Sequence, residues 1–246
     1  MSSYDYYAGK ERIDEILDNH LEVKEGEIPQ DGSFTYDNGY YGWVTAIFVD
    51  IRDSSEIFSL DNKEKTSKMI RSFTSEIIEI LRLGDQDREI GIRGDCVYAI
   101  YNSPKKLDTF DLTKRTFYIN TFLKMLNKLL LNKGYQEISA GIGISTAEEL
   151  VVKAGRKGTG INNKVWIGDA VTKASNLSSL GAKNGIRNIV LSSCTYSNMI
   201  DDLVDESGEE AKTWFIEKYD STYGTYYHSN CIINGFNDWV DAGMGD

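Results

Sequence analysis

The stretch VTAIFVDIRD, residues 44–53, is a run of β-branched and aromatic residues that ends in a carboxylate, Asp50. So apolar a run reads as a buried central strand. An Asp at its end sits at the sheet rim, where an uncompensated buried charge is expensive. A second acid is available nearby. REIGIRGDCVYAIYN, residues 88–102, reads as two short strands around Gly94 and Asp95. The elements between the two acids would return Asp95 to the side of Asp50. Two strand-borne acids over a sheet edge suit a two-metal site for phosphoryl transfer.

The pattern on either side of this pair predicts the rest of the fold. Asp61-Asn62-Lys63-Glu64 has the form of a capping box and opens a helix. Met69, Ile70, Phe73, Ile77, Ile80 and Leu81 follow at helical spacing, and Gly84 stops it. A second helix is predicted from about Thr109 to Asn132, with an apolar face of Leu112, Phe117, Phe122, Leu126, Leu129 and Leu130 and a stop at Gly134. Residues 136–145 alternate like a strand, with glycines where backbones approach closely. The order β-α-β-β-α-β predicts an α+β fold with a ferredoxin-like core and helices on one sheet face. Further elements follow: a basic glycine turn, a short strand, a helix from about Asp169 to Leu180 and a strand at Asn188–Leu191. Residues 1–40, with a short helix at Glu11–Leu17, read as an N-terminal extension of a domain spanning 41–192. The aromatic, acidic residues 193–246 read as a C-terminal extension packed on that domain.

Composition narrows the function. The 246 residues are 41% apolar, enough to bury a core, and carry a net charge of −11. That charge argues against nucleic acid or an anionic membrane as partner. An anionic substrate would instead need metal and a few local cations. Three cysteines without metal-like spacing fit a reducing cytoplasm. The N-terminus has no apolar signal core, and no window approaches the roughly 20 apolar residues of a membrane span. A cytoplasmic location is expected.

Three motifs carry a family resemblance. FVDIRDSSEIF (48–58) resembles the first metal motif of the class III nucleotidyl cyclases, the adenylate and guanylate cyclase catalytic domain, and IRGDCVYAIY (92–101) resembles the second. ISAGIGIS (138–145) and VWIGDAVTKASNL (165–177) resemble the family's strand and following helix, and the order matches over roughly residues 41–192. KAGRKGTGINNKVWIGDAV (153–171) looks like the pyrimidine cyclases of bacterial Pycsar antiphage systems, which make cyclic UMP or cyclic CMP. The resemblance implies a nucleoside triphosphate substrate and two Mn²⁺ or Mg²⁺ ions held by Asp50, the Ile51 carbonyl and Asp95. It also implies a head-to-tail homodimer with composite sites, and a separate effector that reads the product.

The departures from the family pattern are specific. The family reads a purine edge with Lys or Glu four residues before the second metal Asp, where this chain has Gly91. The partner position, three residues before the glycine of IGD, is Val165. The family's transition-state Asn and Arg fall on Thr172 and Asn176, leaving Lys173, Arg156 or Lys157 as candidates for the missing charge. Arg93 shares a strand face with Gly91 by period two, and its fork of donors matches the two carbonyls of uracil. Asn176, Thr172 or the Trp166 backbone is a candidate acceptor for cytosine. UTP is the expected substrate, with CTP second. A purine cyclase and a catalytically silent nucleotide-binding domain are the alternative readings.

Overall fold

The computed structural model describes residues 3–54 and 63–245. In chain order the elements are α1 (Tyr6–Asp18), β1 (Glu22–Glu25), β2 (Asn38–Ile51), α2 (Lys63–Leu81), β3 (Asp87–Arg93), β4 (Cys96–Asn102), α3 (Lys106–Asn132) and β5 (Ala140–Arg156). There follow β6 (Ile161–Gly168), α4 (Asp169–Leu180), β7 (Ile189–Ser192), α5 (Ser193–Ser207), β8 (Ile216–Asp220), β9 (Gly224–Ser229) and α6 (Asn234–Asp241). The strand carrying Asp50 is central, as its apolar run predicts. β2 pairs antiparallel with β4 on one side and β5 on the other. At the Asp50 end the sheet order is β3-β4-β2-β5-β7-β9-β8. At the opposite end β1 runs parallel to β2, and β6 folds back along β5.

β2 is apolar on both faces because both faces are covered. Ile47, Val49 and Ile51 enter the main core with Met69, Phe73 and Ile77 of α2 and Leu112, Phe122 and Leu126 of α3. Val44 and Ala46 face the other way, into a second cluster with Ala170 and Ala174 of α4. The two helices of the ferredoxin-like core thus share one face as expected, and α4, beyond that core, covers the opposite face. Two glycines of β5 explain how it fits. A Cβ at Gly143 would lie 2.1 Å from the Ala174 carbonyl oxygen, and one at Gly141 2.1 Å from that of Ser178. Missing side chains there form the trough in which α4 lies.

Other boundaries move for physical reasons. β5 begins at Ala140 rather than Gln136 and runs on to Arg156, taking in Gly155 and Arg156 of the basic glycine turn. Pairing with β6 from Glu149↔Gly168 to Arg156↔Ile161 satisfies that length of backbone. The turn proper is 157–160, with Gly158 and Gly160 at positive φ. α1 starts five residues early because the Asp5 side chain accepts from the Ala8 N–H. α3 is buried on more than one stripe, since Met199 and Leu203 of α5 join its core, while Leu129 is left 37% exposed. Residues 216–229 supply β8 and β9, and β9 pairs with β7 in the same sheet. Asp61 and Asn62 of the proposed capping box, and residues 55–58 of the first motif, lie outside the described residues.

Candidate active site

The strand registers set three rows of residues across β2, β4 and β3 on the face that α4 shares. Asp50, Cys96 and Arg93 form the first row, Phe48, Tyr98 and Gly91 the second, and Ala46, Ile100 and Glu89 the third. Asp95 sits in the two-residue β3–β4 turn, one position from the residue opposite Asp50. Gly94 takes φ 63°, which the first central position of a type II′ turn requires. The 45 positions between the two acids are thus closed by strand pairing, as the sequence predicts.

Asp50 is held uneasily. Partial burial pushes its carboxyl above the usual carboxylate range, Arg52 pulls it back, and the nearby Asp95 raises it again. Burial and the two acids push the Cys96 thiol up to about 12, so it stays protonated. Arg52 is only 5% exposed and donates to Asp50 Oδ2 at 2.9 Å. Its other nitrogens donate to the Gly181 carbonyl at 2.8 Å and to the Ser178 carbonyl. One guanidinium therefore ties the acid to the carboxyl end of α4. Among the described residues Asp50 Oδ1 has no hydrogen-bond partner, and no third His, Cys, Asp or Glu joins the acids to form a metal cluster. Two mutually repelling carboxylates of hard oxygen, one with a free atom, fit Mg²⁺ or Mn²⁺ with a backbone carbonyl such as Ile51 as third donor.

The other site candidates fall in separate places. Thr172 and Asn176 lie one turn apart on the exposed stripe of α4, facing away from the buried Ala170, Ala174 and Leu177. Lys173 is paired with Asp169 at 2.8 Å. Arg156 lies 15 residues along β5 from Gly141, the partner of Asp50. That is about 50 Å of extended strand, so neither it nor Lys157 reaches Asp50 within one chain. At the amino end of α4, Glu149 is fully buried and its Oε1 accepts the N–H groups of Ala170 and Val171. Its Oε2 has no partner among the described residues, and burial raises its pKa.

The surroundings of Gly91 include residues that the motif comparison missed. Tyr98 stands opposite Gly91, stacks on Phe48 with ring centroids 5.2 Å apart, and donates its hydroxyl to Glu89 at 2.7 Å. The Trp166 indole donates to the other Glu89 oxygen at 2.8 Å, and Lys164 bonds the Arg88 carbonyl. These contacts draw β6 across to β3. By strand alternation Val165 points the other way and is 41% exposed. Arg93 is exposed at the rim, and its charge acts on the Tyr98 phenol. A cavity of about 660 Å³ opens along β3, lined by Gly91, Ile92, Asn163 and Lys164 among others, and does not include Asp50 or Asp95.

No protein-family model matches the sequence. A uridylate cyclase of Treponema porcinum is 52% identical over 244 residues, 99% of this chain and 83% of that protein. The chain belongs to the nucleotide cyclase family. A uridylate cyclase of Gulbenkiania mobilis is 29% identical over 249 residues, covering 97% of this chain and 96% of that one. The fold agrees with solved class III cyclases at low identity. The adenylyl cyclase CyaB from P. aeruginosa gives a TM-score of 0.61 at 20% identity, over 78% of this chain and 95% of that chain. The guanylyl cyclase Cya2 gives 0.61 at 16%, over 81% and 97%. The chain is thus a nucleotide cyclase built on the class III fold. No helix among the described residues is long and apolar enough to cross a membrane.

Proposed function

We propose that this cyclase converts UTP to 3′,5′-cyclic UMP and pyrophosphate. The observation that carries the reading is the Asp50–Asp95 pair at the rim of a face that lacks both purine readers. The two related uridylate cyclases support it. The ribose 3′-oxygen attacks the α-phosphorus and pyrophosphate leaves, so the protein contributes positioning and charge rather than a covalent intermediate. Divalent ions held by Asp50, the Ile51 carbonyl and Asp95 would activate the 3′-hydroxyl and neutralise the triphosphate. Arg52 keeps Asp50 aimed. Arg93, at the rim beside Tyr98, donates toward the base, and its donors suit the O2 and O4 acceptors of uracil better than the amino group of cytosine. Gly91 and Trp166 line the base side, whereas Val165, on the other face of β6, does not join them in the same chain.

Thr172 and Asn176 face outward from α4. A head-to-tail homodimer would bring them to the partner's acids and make two composite sites. Thr172 then donates to the phosphates. Asn176 lacks the charge of the family's Arg, and Lys173 replaces it once released from Asp169. The resemblance to Pycsar cyclases extends the reading to antiphage signalling through a separate effector.

The test is incubation of the pure protein with all four nucleoside triphosphates and Mn²⁺ or Mg²⁺, with products identified by mass spectrometry. Predominant cyclic UMP is expected. Cyclic AMP or cyclic GMP would refute the pyrimidine reading, and no product with any triphosphate would favour a silent binding domain. Mixing Asp50→Ala protein with a Thr172→Ala/Asn176→Ala variant should restore activity that neither has alone. An enzyme active as a strict monomer contradicts the composite site.

A further inference from the structure

The glycine at the purine-reading position is a filled space rather than a vacant one. A Cβ added at Gly91 would lie 2.7–2.8 Å from Cζ, Oη and Cε1 of Tyr98. Real side chains do not come that close, so no longer residue fits at 91 while the ring stays put. The ring is held on its face and at its hydroxyl, and the group that holds the hydroxyl is itself held. Phe48 stacks against it with planes 14° apart, Glu89 accepts its hydroxyl, and Trp166 holds the second oxygen of Glu89. Both carboxylate oxygens are thus used within the wall, and burial together with Glu89 pushes the Tyr98 phenol up to about 12, keeping it a donor.

Resting on the pyrimidine reading above, we propose that Tyr98 is the specificity-determining residue that closes the base pocket to a second ring, and that Glu89 is the positioning residue that holds it there. A rigid aromatic wall shortens the pocket under Gly91. A one-ring base leaves the gap that Arg93 spans, whereas a purine meets the phenol. The wall acts by exclusion, while Arg93 acts by hydrogen bonding, so the two contributions are separable.

The experiment measures kcat and KM for UTP and ATP with the full-length enzyme and variants whose folding is verified by thermal melts. In Tyr98→Ala the UTP-over-ATP ratio of kcat/KM should fall by at least about tenfold, chiefly through KM. Tyr98→Phe keeps the ring and should hold the ratio within about threefold. Glu89→Ala should shift the ratio in the direction of Tyr98→Ala, and Glu89→Gln, which keeps an acceptor for the phenol, should recover most of it. Should Tyr98→Ala fail to fold, Gly91→Ala decides, because its methyl group displaces the ring without removing it and should lower the ratio. A folded Tyr98→Ala, or in its place Gly91→Ala, that retains the wild-type ratio overturns the proposal. A wild-type enzyme without preference for UTP would instead refute the pyrimidine reading beneath it.

Discussion

Two carboxylates grip the two ends of one helix, and they differ in what faces them. Glu149 holds the amino end of α4 by accepting two of its N–H groups. Asp50 holds the carboxyl end at one remove, through Arg52 and the carbonyls of Ser178 and Gly181. Burial raises both acids above their usual range. The helix terminus that Glu149 meets is positive and offsets the cost of its charge. At Asp50 the acid Asp95 adds to the cost while Lys183 offsets part of it, whereas at Glu149 the two amides act ahead of the one neighbouring acid, Asp169. An acid made costly by a like charge at an open rim is poised for a cation, whereas an acid enclosed by amides is a brace. On the proposed reading, one carboxylate serves turnover at one end of α4 and the other serves architecture at the opposite end.

The largest effect that separates them is on activity. Asp50→Asn or Asp95→Asn should lower turnover by at least about 10³-fold, since each removes a proposed metal ligand. Stability should change by no more than about 1 kcal/mol in either direction, because Asn at position 50 keeps an oxygen for Arg52 and the loss of either charge relieves the repulsion between the two acids. Steady-state cyclisation and chemical denaturation check the two halves. An Asp50→Asn enzyme that unfolds readily would make Asp50 a brace as well and dissolve the distinction.

Arg52 is the next largest. Arg52→Ala removes three hydrogen bonds at a buried guanidinium and strands Asp50, so it should cost about 3 kcal/mol and most of the activity. Arg52→Lys cannot fork to two carbonyls and a carboxylate together and should recover less than half of that stability. Denaturant midpoints measure it. A neutral Arg52→Lys would show that Asp50 and α4 are aligned by packing alone.

The unequal legibility of these residues follows from sequence distance. Asp50 and Asp95 could be read because each ends or joins a strand with a strong local pattern. Gly91 opposite Tyr98 was also readable, since a two-residue turn at Gly94 and Asp95 fixes that register, although the motif comparison drew attention to the missing purine reader and away from its neighbour. Arg52 was not readable: its carbonyl partners lie 126 and 129 residues away, and no periodicity reports a contact of that kind. Glu149 stands in a stretch whose polar residues look like an exposed strand end. Its burial depends on β6 pairing back along β5, which also made β5 longer than its alternation suggested. The placement of α4 on the second face rests on Gly141 and Gly143, which the sequence marked as close approaches without saying to what.

Glu149→Ala tests the structural acid directly. It leaves two buried N–H groups of α4 without their acceptor and should cost about 2 kcal/mol. Among enzyme molecules that remain folded, kcat should fall by less than about tenfold, because α4 carries Thr172 but the acids are untouched. Thermal melts and activity corrected for folded fraction measure the pair of effects. A loss of activity as deep as that of Asp50→Asn, with stability preserved, would place Glu149 in the chemistry.

The smallest effect is a pH dependence, and its sign sharpens the contrast. The folded chain holds the Glu149 proton more tightly than the unfolded chain does, because burial raises its pKa. Stability from this group is therefore fully present below the ordinary glutamate value. It declines as pH rises through that value and levels off once the folded pKa is passed. Glu149→Gln does not titrate and keeps a carbonyl oxygen for the N–H groups of Ala170 and Val171. The stability of wild type minus that of Glu149→Gln should thus fall steadily as pH is raised across this window, in denaturation curves recorded at constant ionic strength. A difference that rises with pH would mean that the helix terminus and its amides outweigh desolvation, so that Glu149 is a stabilised anion. The two acids of α4 would then differ in the sign of their proton affinity as well as in their partners.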